Sequence, residues 1–548
     1  MDKGALAERL FPEVTGKIGE LEAKYPPRNL PEGAKVTRFA PSPTGFVHFG
    51  GLLPTRISER LARQSGGVFI LRIEDTDQKR RVEGAEENLL ETYGYFGITF
   101  DEGVPLDGDN GAYGPYRQSA RREIYAICAK ALVEQGKAYP CFCSEEELND
   151  IRARQEAAGV DPGYYGQWAV WRDAPEEKIL AQLEAGTPFV IRFCSEGDPA
   201  RHFKFTDLVK GEVEVTENHM DHVLLKSDGI PTYHFAHAVD DHFMRVTHVV
   251  RGEEWLPSLP FHIQLFGALG FRLPKYLHCS QLMKLEGGSK KKLSKRDRAA
   301  SLSDYKKDGY APESITEYIM TLLNSNYEEW RAANPDKPFT DFPFSIKKLS
   351  ASGSLFDYDK LDDVSRGVIA RQSADEVYSG LTAWASQYDP EFYALLTADP
   401  AYTKAILSIG RGGKKPRKDI TRWDGVRAYA GFFFDPLFAP DYSSFSRYDR
   451  ADADAILAGY GALYDEADDS DAWFAKIKDL SEKLGFARET KLYKEDPSRY
   501  KGHVGDVSGV LRVAVTGREA SPDLYSVMRI LGKERVLARL EAARGALR

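Results

Sequence analysis

Cysteine is scarce in this chain, with five residues scattered among 548. An odd, dispersed set excludes the disulfide framework of a small secreted domain. Long apolar runs are missing as well: no stretch of about 18 uncharged apolar residues occurs, so no transmembrane helix is expected. The opening residues MDKGALAERLFPEV place Asp2, Lys3, Glu8 and Arg9 where a signal peptide would be apolar, and the cytoplasm is the expected compartment. Net positive charge is also lacking; at −9 the overall balance does not by itself point to a polyanion. Salt screens fields within about 10 Å, however, so local clusters count for more than the total. Two basic clusters exist, Lys290-Lys291-Lys292 with Lys295, Arg296 and Arg298, and Arg411 with Lys414, Lys415, Arg417 and Lys418. RNA therefore stays compatible as a partner. Internal repeats and low-complexity stretches are absent. What remains is 42% hydrophobic and 29% charged, an ordinary globular balance, in a length that suggests roughly three to five domains.

Residues 1–35 end in the proline- and glycine-rich YPPRNLPEG and read as an N-terminal extension ahead of the first domain. Lys35–Ala40 has the composition of a strand, and PSPTG is a turn-rich loop. After His48 a helix is expected, with Leu53, Ile57 and Leu61 on one face and Arg56, Glu59, Arg60 and Arg63 elsewhere, closed by Gly66-Gly67. Val68–Ile73 is nearly all apolar, the pattern of a parallel strand buried on both faces. Strand, loop, helix and strand in so short a span make a βαβ unit and predict a doubly wound, Rossmann-like sheet. Between about 123 and 225 the pattern is mixed, helical over Glu145–Glu156 and strand-like over Pro188–Phe193. The α/β signal resumes with YHFAHAVDD, VTHVVRGEEW, a helix through Leu269, and YLHCSQLM. One sheet interrupted by an inserted domain explains this order. Beyond about 370 the chain reads as mostly helical; in one late helix Ser521 is a plausible N-cap, Pro522 fits the first position, and Leu524, Val527, Met528 and Leu531 share a face.

Several segments carry chemistry. Arg38–Gly51 (RFAPSPTGFVHFGG) joins a strand end, a rigid loop and a helix N-terminus. Such N-termini present unpaired N–H groups suited to phosphate, and glycines there permit close approach. Lys290–Arg296 (KKKLSKR) is a basic loop whose ammonium groups can neutralise charge building on phosphates; on its own a solvated basic loop is the commoner outcome. Leu71–Asp77 (LRIEDTD) sets three carboxylates at the end of a buried strand, where doubly wound folds bind ligands. Arginines such as Arg38 and Arg251 offer a bidentate fork to a carboxylate. The histidines from 219 to 262 are too irregularly spaced to favour a metal site.

Taken whole, Arg38–Gly51 resembles the "RFAPSPTG…HIGH" signature of class I aminoacyl-tRNA synthetases, in the glutamyl rather than the glutaminyl branch, and the chain is similar to bacterial-type glutamyl-tRNA synthetases from about residue 36 onward. Lys292–Arg296 resembles that family's KMSKS loop, with Leu293 replacing methionine, an apolar swap of similar volume. The resemblance implies catalytic roles for His48, Lys292 and Lys295, and ATP contacts from Thr44, His48, Gly50, Gly51, Leu293, Ser294 and Lys295. It implies glutamate binding by Arg38, Ala40, Ser42, Glu74, Tyr233, His237 and Arg251, with Glu74 facing the substrate's α-amino group and Asp75 and Asp77 left structural. His237 is a departure, since the family often has asparagine at that place.

Many bacterial members complete a zinc site begun by a C-x-C pair like Cys141-Phe142-Cys143, but here the matching stretch Gly163–Arg172 contains neither Cys nor His. No structural zinc and no other metal ligand set are therefore expected, because such a site normally takes four ligands. The stretch Leu511–Gly517, then Ser521–Tyr525, resembles the end of the bacterial enzymes, which carry an all-helical anticodon-binding domain. The expected division is an extension over 1–35, a Rossmann-like catalytic domain over 36–122 and 226–285, and an inserted α+β acceptor-stem domain over 123–225. A KMSKS-type loop and stem-contact domain follows over 286–370, and a helical anticodon-binding domain over 371–548. The implied function is ATP-dependent activation of L-glutamate, with Mg²⁺, and its transfer to tRNA(Glu), with tRNA(Gln) a second candidate, by a monomer that needs no membrane. The alternative is a tRNA-modifying paralogue or another HxGH-type nucleotidylyltransferase.

Overall fold

Val36–Phe39 (β1) and Val68–Leu71 (β2) pair in parallel, Val36 opposite Val68 and Phe39 opposite Leu71. The computed structural model that shows this describes every residue except Met1, Phe46, Gln78, Lys79, Arg81, 105–108, 293–300, Lys414 and Arg548. By internal contact the chain divides into two compact units, residues 1–303 with 319–357 and residues 304–318 with 358–548.

In the first unit the extension is helical where its sequence is not proline-rich, with α1 (Lys3–Leu10) and α2 (Ile18–Lys24) ahead of β1. It is tied down by charge: Arg28 grips Glu102 through both terminal nitrogens at 2.6 and 2.8 Å, and Glu22 accepts from His242 and Arg245. Between β1 and β2 runs α3 (Phe49–Gln64). Its apolar stripe is buried as expected, but Arg56, Glu59 and Arg60 are buried too. Arg56 pairs with Glu59 and donates to Phe96 O, and Arg60 donates to Thr340 O and Phe342 O. A later segment thus covers the charged face and supplies the acceptors that burial demands.

After α4 (Ala85–Tyr95) and α5 (Arg122–Glu134) comes the mixed region. There β3 (Ala138–Cys141), β4 (Val190–Phe193) and β7 (Val223–Leu225) form an antiparallel sheet, with α6 (Glu145–Ala157) and α7 (Glu176–Glu184) between β3 and β4. A separate hairpin joins β5 (His202–Asp207) to β6 (Gly211–Thr216). The parallel pattern then returns: α8 (Tyr233–Phe243) precedes β8 (His248–Gly252), and α9 (Leu259–Leu269) connects it to its parallel partner β9 (Lys275–Cys279). Thr247 donates its N–H to Val36 O at 2.9 Å and accepts from Val36 N through its hydroxyl, so the two parallel pairs meet at the starts of β1 and β8. Their carboxyl ends, Arg38-Phe39, Leu71–Glu74 and Arg251-Gly252, consequently share one edge, where such sheets bind ligands. Beyond lie β10 (Leu282–Glu286), β11 (Ser289–Lys292) and β12 (Ser354–Leu355), β10 pairing with both of the others.

The second unit is helical around a core that includes Leu381, Phe392, Val426, Leu457, Val510 and Met528. Leu524, Val527, Met528 and Leu531 are buried as their spacing predicts. The start of their helix is not where the sequence suggests: it begins at Leu524, and Asp523 rather than Ser521 caps it, its Oδ2 accepting from Ser526 N at 2.9 Å. Asp523 stands three residues before a free amide of the first turn, the reach an N-cap oxygen needs; the Ser521 hydroxyl instead donates to Pro522 O. Among the described residues no helix is long and apolar enough to cross a membrane, and all five cysteines are free thiols.

Candidate active site

A cavity of about 660 Å³ opens at the shared strand edge, lined by Arg38, Ala40, Ser42, Thr44, Glu74, Tyr233 and Arg251 among others. Six of the seven residues expected to bind glutamate are therefore gathered here. The seventh, His237, does not line the cavity. It is fully buried one helical turn beyond Tyr233, with Nδ1 2.8 Å from Asp241 Oδ2 and Nε2 2.9 Å from the Tyr276 hydroxyl. Of the ATP-side residues Thr44 lines the cavity, while His48, Gly50 and Gly51 do not; they form the N-cap and first turn of α3, whose Pro54 and Ser58 do.

Charge beneath the cavity is arranged around two adjacent carboxylates on α8. Asp241 accepts from Arg38 Nε at 3.2 Å and from Arg72 Nη1 at 2.6 Å. Asp240 accepts from Gln118 at 2.9 Å, Arg121 at 2.6 Å and Tyr125 at 2.9 Å. Burial alone would raise the Asp241 pKa, but Arg38 and Arg72 hold it well below the usual carboxylate range. Arg72 also reaches Glu74 Oε1 at 3.1 Å. At Glu74 burial outweighs the pull of Arg72 and Arg38, and the pKa is raised. A buried carboxylate held ionisable in this way is suited to meet a substrate cation, which would restore the charge balance that burial upsets. Asp75 accepts from Ser119 N at 2.8 Å and Ser119 Oγ at 2.5 Å, and Asp77 pairs with Arg80 at 2.6 Å. Both have protein partners, although Asp77 and Arg80 also line the cavity.

The opposite wall is built from β8 and the two helices beside it. Tyr233 packs against Trp255, ring centroids 4.3 Å apart and planes tilted by 33°. Arg251 donates from Nε to His278 Nε2 at 2.9 Å and reaches His262 Nδ1 from Nη1 at 3.1 Å. Among the described residues no carboxylate lies within ion-pair distance of Arg251, unlike Arg38. The cavity thus contains one guanidinium held by neutral acceptors and not neutralised, the arrangement that attracts an anionic ligand.

The basic loop is partly described. Lys292 ends the exposed hairpin β10–β11, opposite Met283. Leu293, Ser294 and Lys295 lie outside the described residues. The far flank of the loop returns to the start of α3, where Ser301 forms a bridge with His48 and Leu302 N donates to Val47 O at 3.3 Å. A strand-like contact therefore ties the loop's exit to the histidine motif.

The C-x-C thiols face one phenol: Cys141 Sγ is 3.4 Å and Cys143 Sγ 3.6 Å from the Tyr164 hydroxyl. Hydrogen bonding from Cys143 lowers the Cys141 thiol pKa, and the same bond raises that of Cys143. Among the described residues no group of three His, Cys, Asp or Glu side chains is arranged to hold a metal.

Sequence reasoning did not single out Lys226, Thr232, His234 or Trp255, which also line the cavity, nor Arg72, Asp240 and Asp241 beneath it. Arg72 carried a signal: it is the one charged side chain within the apolar run of β2 and its extension, and a buried arginine must find carboxylates.

Comparison with known proteins bears on this arrangement. Residues 35–363 match the family described as tRNA synthetases class I (E and Q), catalytic domain, and residues 498–544 match the anticodon binding domain. The chain is 51% identical to a glutamate–tRNA ligase of Acetivibrio thermocellus, with 99% of this chain and 100% of that one covered. It is 47% identical to one of Clostridium perfringens over 98% and 99%. A crystal structure of a glutamate tRNA ligase from Elizabethkingia meningosepticum, in complex with its amino acid, superposes with a TM-score of 0.76 at 29% identity, covering 94% of this chain and all of that one.

Proposed function

The chain belongs to the class I tRNA synthetases for glutamate and glutamine, as a member of its glutamate–tRNA ligases, and from that premise we propose how its residues divide the work. The enzyme activates L-glutamate with ATP and joins it to tRNA. The glutamate α-carboxylate attacks the α-phosphorus of ATP, the bond to the bridging oxygen breaks, and pyrophosphate leaves with the electron pair. A terminal ribose hydroxyl of tRNA then attacks the mixed anhydride and AMP departs. Chemistry of this kind asks mainly for positioning and charge stabilisation.

Arg251 takes the substrate's γ-carboxylate, Glu74 its α-ammonium, and Tyr233 and Ser42 close the pocket around its stem. Arg38, neutralised by Asp241, orients rather than attracts. His48 and the N-terminus of α3 with Gly50 and Gly51 serve the ATP phosphates, and Thr44 borders them. Lys292 and Lys295, with Leu293 and Ser294, serve the ATP phosphates, as the resemblance to the KMSKS motif implies. Magnesium would enter this site as part of the nucleotide, since Mg²⁺ is commonly held by substrate phosphates and water with few protein ligands. His237 acts from behind the wall, bridging Asp241 and Tyr276.

The observation that carries this division is the single cavity that joins an un-neutralised Arg251 to a buried, ionisable Glu74. The polymeric substrate we propose is tRNA(Glu), charged by a monomer in the cytoplasm; the match at 498–544 supports an anticodon reader, which a tRNA-modifying paralogue would not need. Glutamate-dependent pyrophosphate exchange with and without tRNA, followed by charging of purified tRNA(Glu) and tRNA(Gln), tests the reading. Charging of neither species would sink it, and charging of both would widen it.

A further inference from the structure

Against Arg251 lie the buried side chains of His278, backed by Asp207, and of His262, whose far nitrogen meets the half-buried His234 of the cavity wall. We infer that Asp207, His278 and His262 are positioning residues that hold the Arg251 guanidinium directed and un-neutralised, and that they thereby set the preference for the γ-carboxylate of glutamate over the amide of glutamine. This rests on the proposed contact between Arg251 and the substrate side chain.

The argument follows from donor and acceptor counting. Arginine can only donate. His278 Nε2, 2.9 Å from Arg251 Nε, must therefore be the lone-pair nitrogen, which puts the ring proton on Nδ1, where Asp207 Oδ2 accepts it at 2.7 Å. On the other side His262 Nδ1, 3.1 Å from Arg251 Nη1, is likewise the acceptor, so its proton sits on Nε2 and points to His234 Nδ1 at 2.9 Å. One ring nitrogen's partner fixes the role of the other, so both tautomers are settled by Arg251 and its neighbours. Burial, reinforced by the arginine's charge, lowers the pKa of His262 and His234, which keeps them neutral.

The consequence is chemical. Two neutral acceptors satisfy Arg251 without cancelling its charge, whereas a carboxylate in either place would have spent that charge inside the protein. Nη2 reaches only Trp255 O, at 3.4 Å, and two of the five guanidinium N–H groups have no partner among the described residues. A γ-carboxylate can accept from them; the NH₂ of glutamine would set donor against donor. Asp207 is anchored for its task, since its oxygens accept only from donors: the N–H groups of Val209 and Lys210 at 2.9 and 2.8 Å, and His278 N and Nδ1.

The two histidines meet Arg251 through different nitrogens, so amide replacements should behave as mirror images. Gln places its terminal group near the Nε2 position and Asn near the Nδ1 position. At 278, His278→Gln can keep an acceptor for Arg251, while His278→Asn keeps the tie to Asp207 and loses that acceptor. At 262 the pattern inverts: His262→Asn keeps the acceptor and His262→Gln loses it. His278→Asn and His262→Gln are expected to raise the glutamate KM about 10- to 100-fold, the worth of one hydrogen bond to a charged group. They should also narrow the glutamate-over-glutamine ratio of kcat/KM and leave the ATP KM near wild type, while the unpaired buried N–H of Arg251 lowers the thermal midpoint by a few degrees. His278→Gln and His262→Asn should stay within a few-fold. The assay is steady-state aminoacylation of tRNA with the full-length enzyme, with a thermal melt of each variant. If one site yields only unfolded variants, the other still decides. Equal effects of Asn and Gln at the folded site, or an ATP KM that rises in step with glutamate's, would overturn the inference. Arg251→Gln separates this from the reading beneath it: an unchanged glutamate KM there removes the substrate contact itself, whereas a raised KM with silent histidine variants removes only the positioning role.

Discussion

Replacing Glu74 by glutamine removes one charge from the cavity while keeping size and an acceptor oxygen. The fold should tolerate this, because Arg72, the residue's buried partner, keeps Asp241 at 2.6 Å and Asp240 at 3.8 Å. The loss then falls on the substrate's α-ammonium. Truncating one partner of a buried charge pair costs about 2–5 kcal/mol. The amide oxygen can still accept from the ammonium, so the lower end applies, and about 2 kcal/mol corresponds to roughly a 30-fold rise in the glutamate KM. The ATP KM should stay within a few-fold. Acidity supplies a second readout. Burial, against the pull of Arg72 and Arg38, raises the Glu74 pKa above its ordinary 4.5. The ammonium binds the ionised form, so kcat/KM for glutamate should fall as pH drops through that raised pKa, sooner than an exposed carboxylate would make it fall. In Glu74→Gln that acid limb should vanish. Glutamate-dependent pyrophosphate exchange across a pH series, at saturating ATP and tRNA, measures both. A variant with wild-type glutamate KM, or one that keeps the acid limb, would refute the assignment.

Other perturbations separate the remaining roles. Lys295→Ala should lower the activation rate by more than tenfold, one charged contact in the transition state, while filter binding of tRNA changes little; equal loss of both would contradict a role on the nucleotide. Asp241→Asn leaves Arg38 and Arg72 without a shared counter-charge in a fully buried setting and should cost about 3–5 kcal/mol in denaturant unfolding of the first unit; a shift below 1 kcal/mol would mean the cluster is wetter than it looks. Prolonged treatment with a strong chelator should leave the melting temperature unchanged, since Cys141 and Cys143 meet at the Tyr164 phenol and, among the described residues, no group of three acidic, thiol or imidazole side chains is arranged to hold a metal; a drop of several degrees, restored by zinc, would reverse that expectation.

Local patterns were legible where a segment's own residues decide its state. The apolar run Val68–Ile73 became the buried parallel strand β2, and the stripe Leu53, Ile57, Leu61 became the core side of α3. Helix entry was harder to read, because the Ser521, Pro522 and Asp523 that precede the last helix all suit an N-terminus. Only the backbone shows that Asp523 is the one three residues before a first-turn amide in need of an acceptor. The burial of Arg56 and Arg60 was illegible for a different reason: their acceptors are Phe96 O and the carbonyls of Thr340 and Phe342, about 280 residues away for Arg60.

The site divides along the same line. Residues that line the cavity sit within short strings, so Arg38, Ser42, Glu74, Tyr233 and Arg251 could be named from the family motifs those strings resemble. Those that aim them are scattered, and adjacency in sequence even misleads. Asp240 and Asp241 look like one acidic pair, yet neighbours on a helix point about 100° apart. Asp240 consequently meets Arg121, Tyr125 and Gln118, and Asp241 meets Arg38, Arg72 and His237, partners as many as 203 residues distant. His237 shows the cost of reading by position in a motif: it falls in the right string but on the inner face of α8, with its ring spanning Asp241 and Tyr276. Its effect on glutamate is then indirect, through Asp241 to Arg38, through Tyr276 beneath Arg251 and through the stacked ring of Tyr233, so His237→Asn, too short to span Asp241 and Tyr276, should raise the glutamate KM in steady-state aminoacylation while the ATP KM stays near wild type.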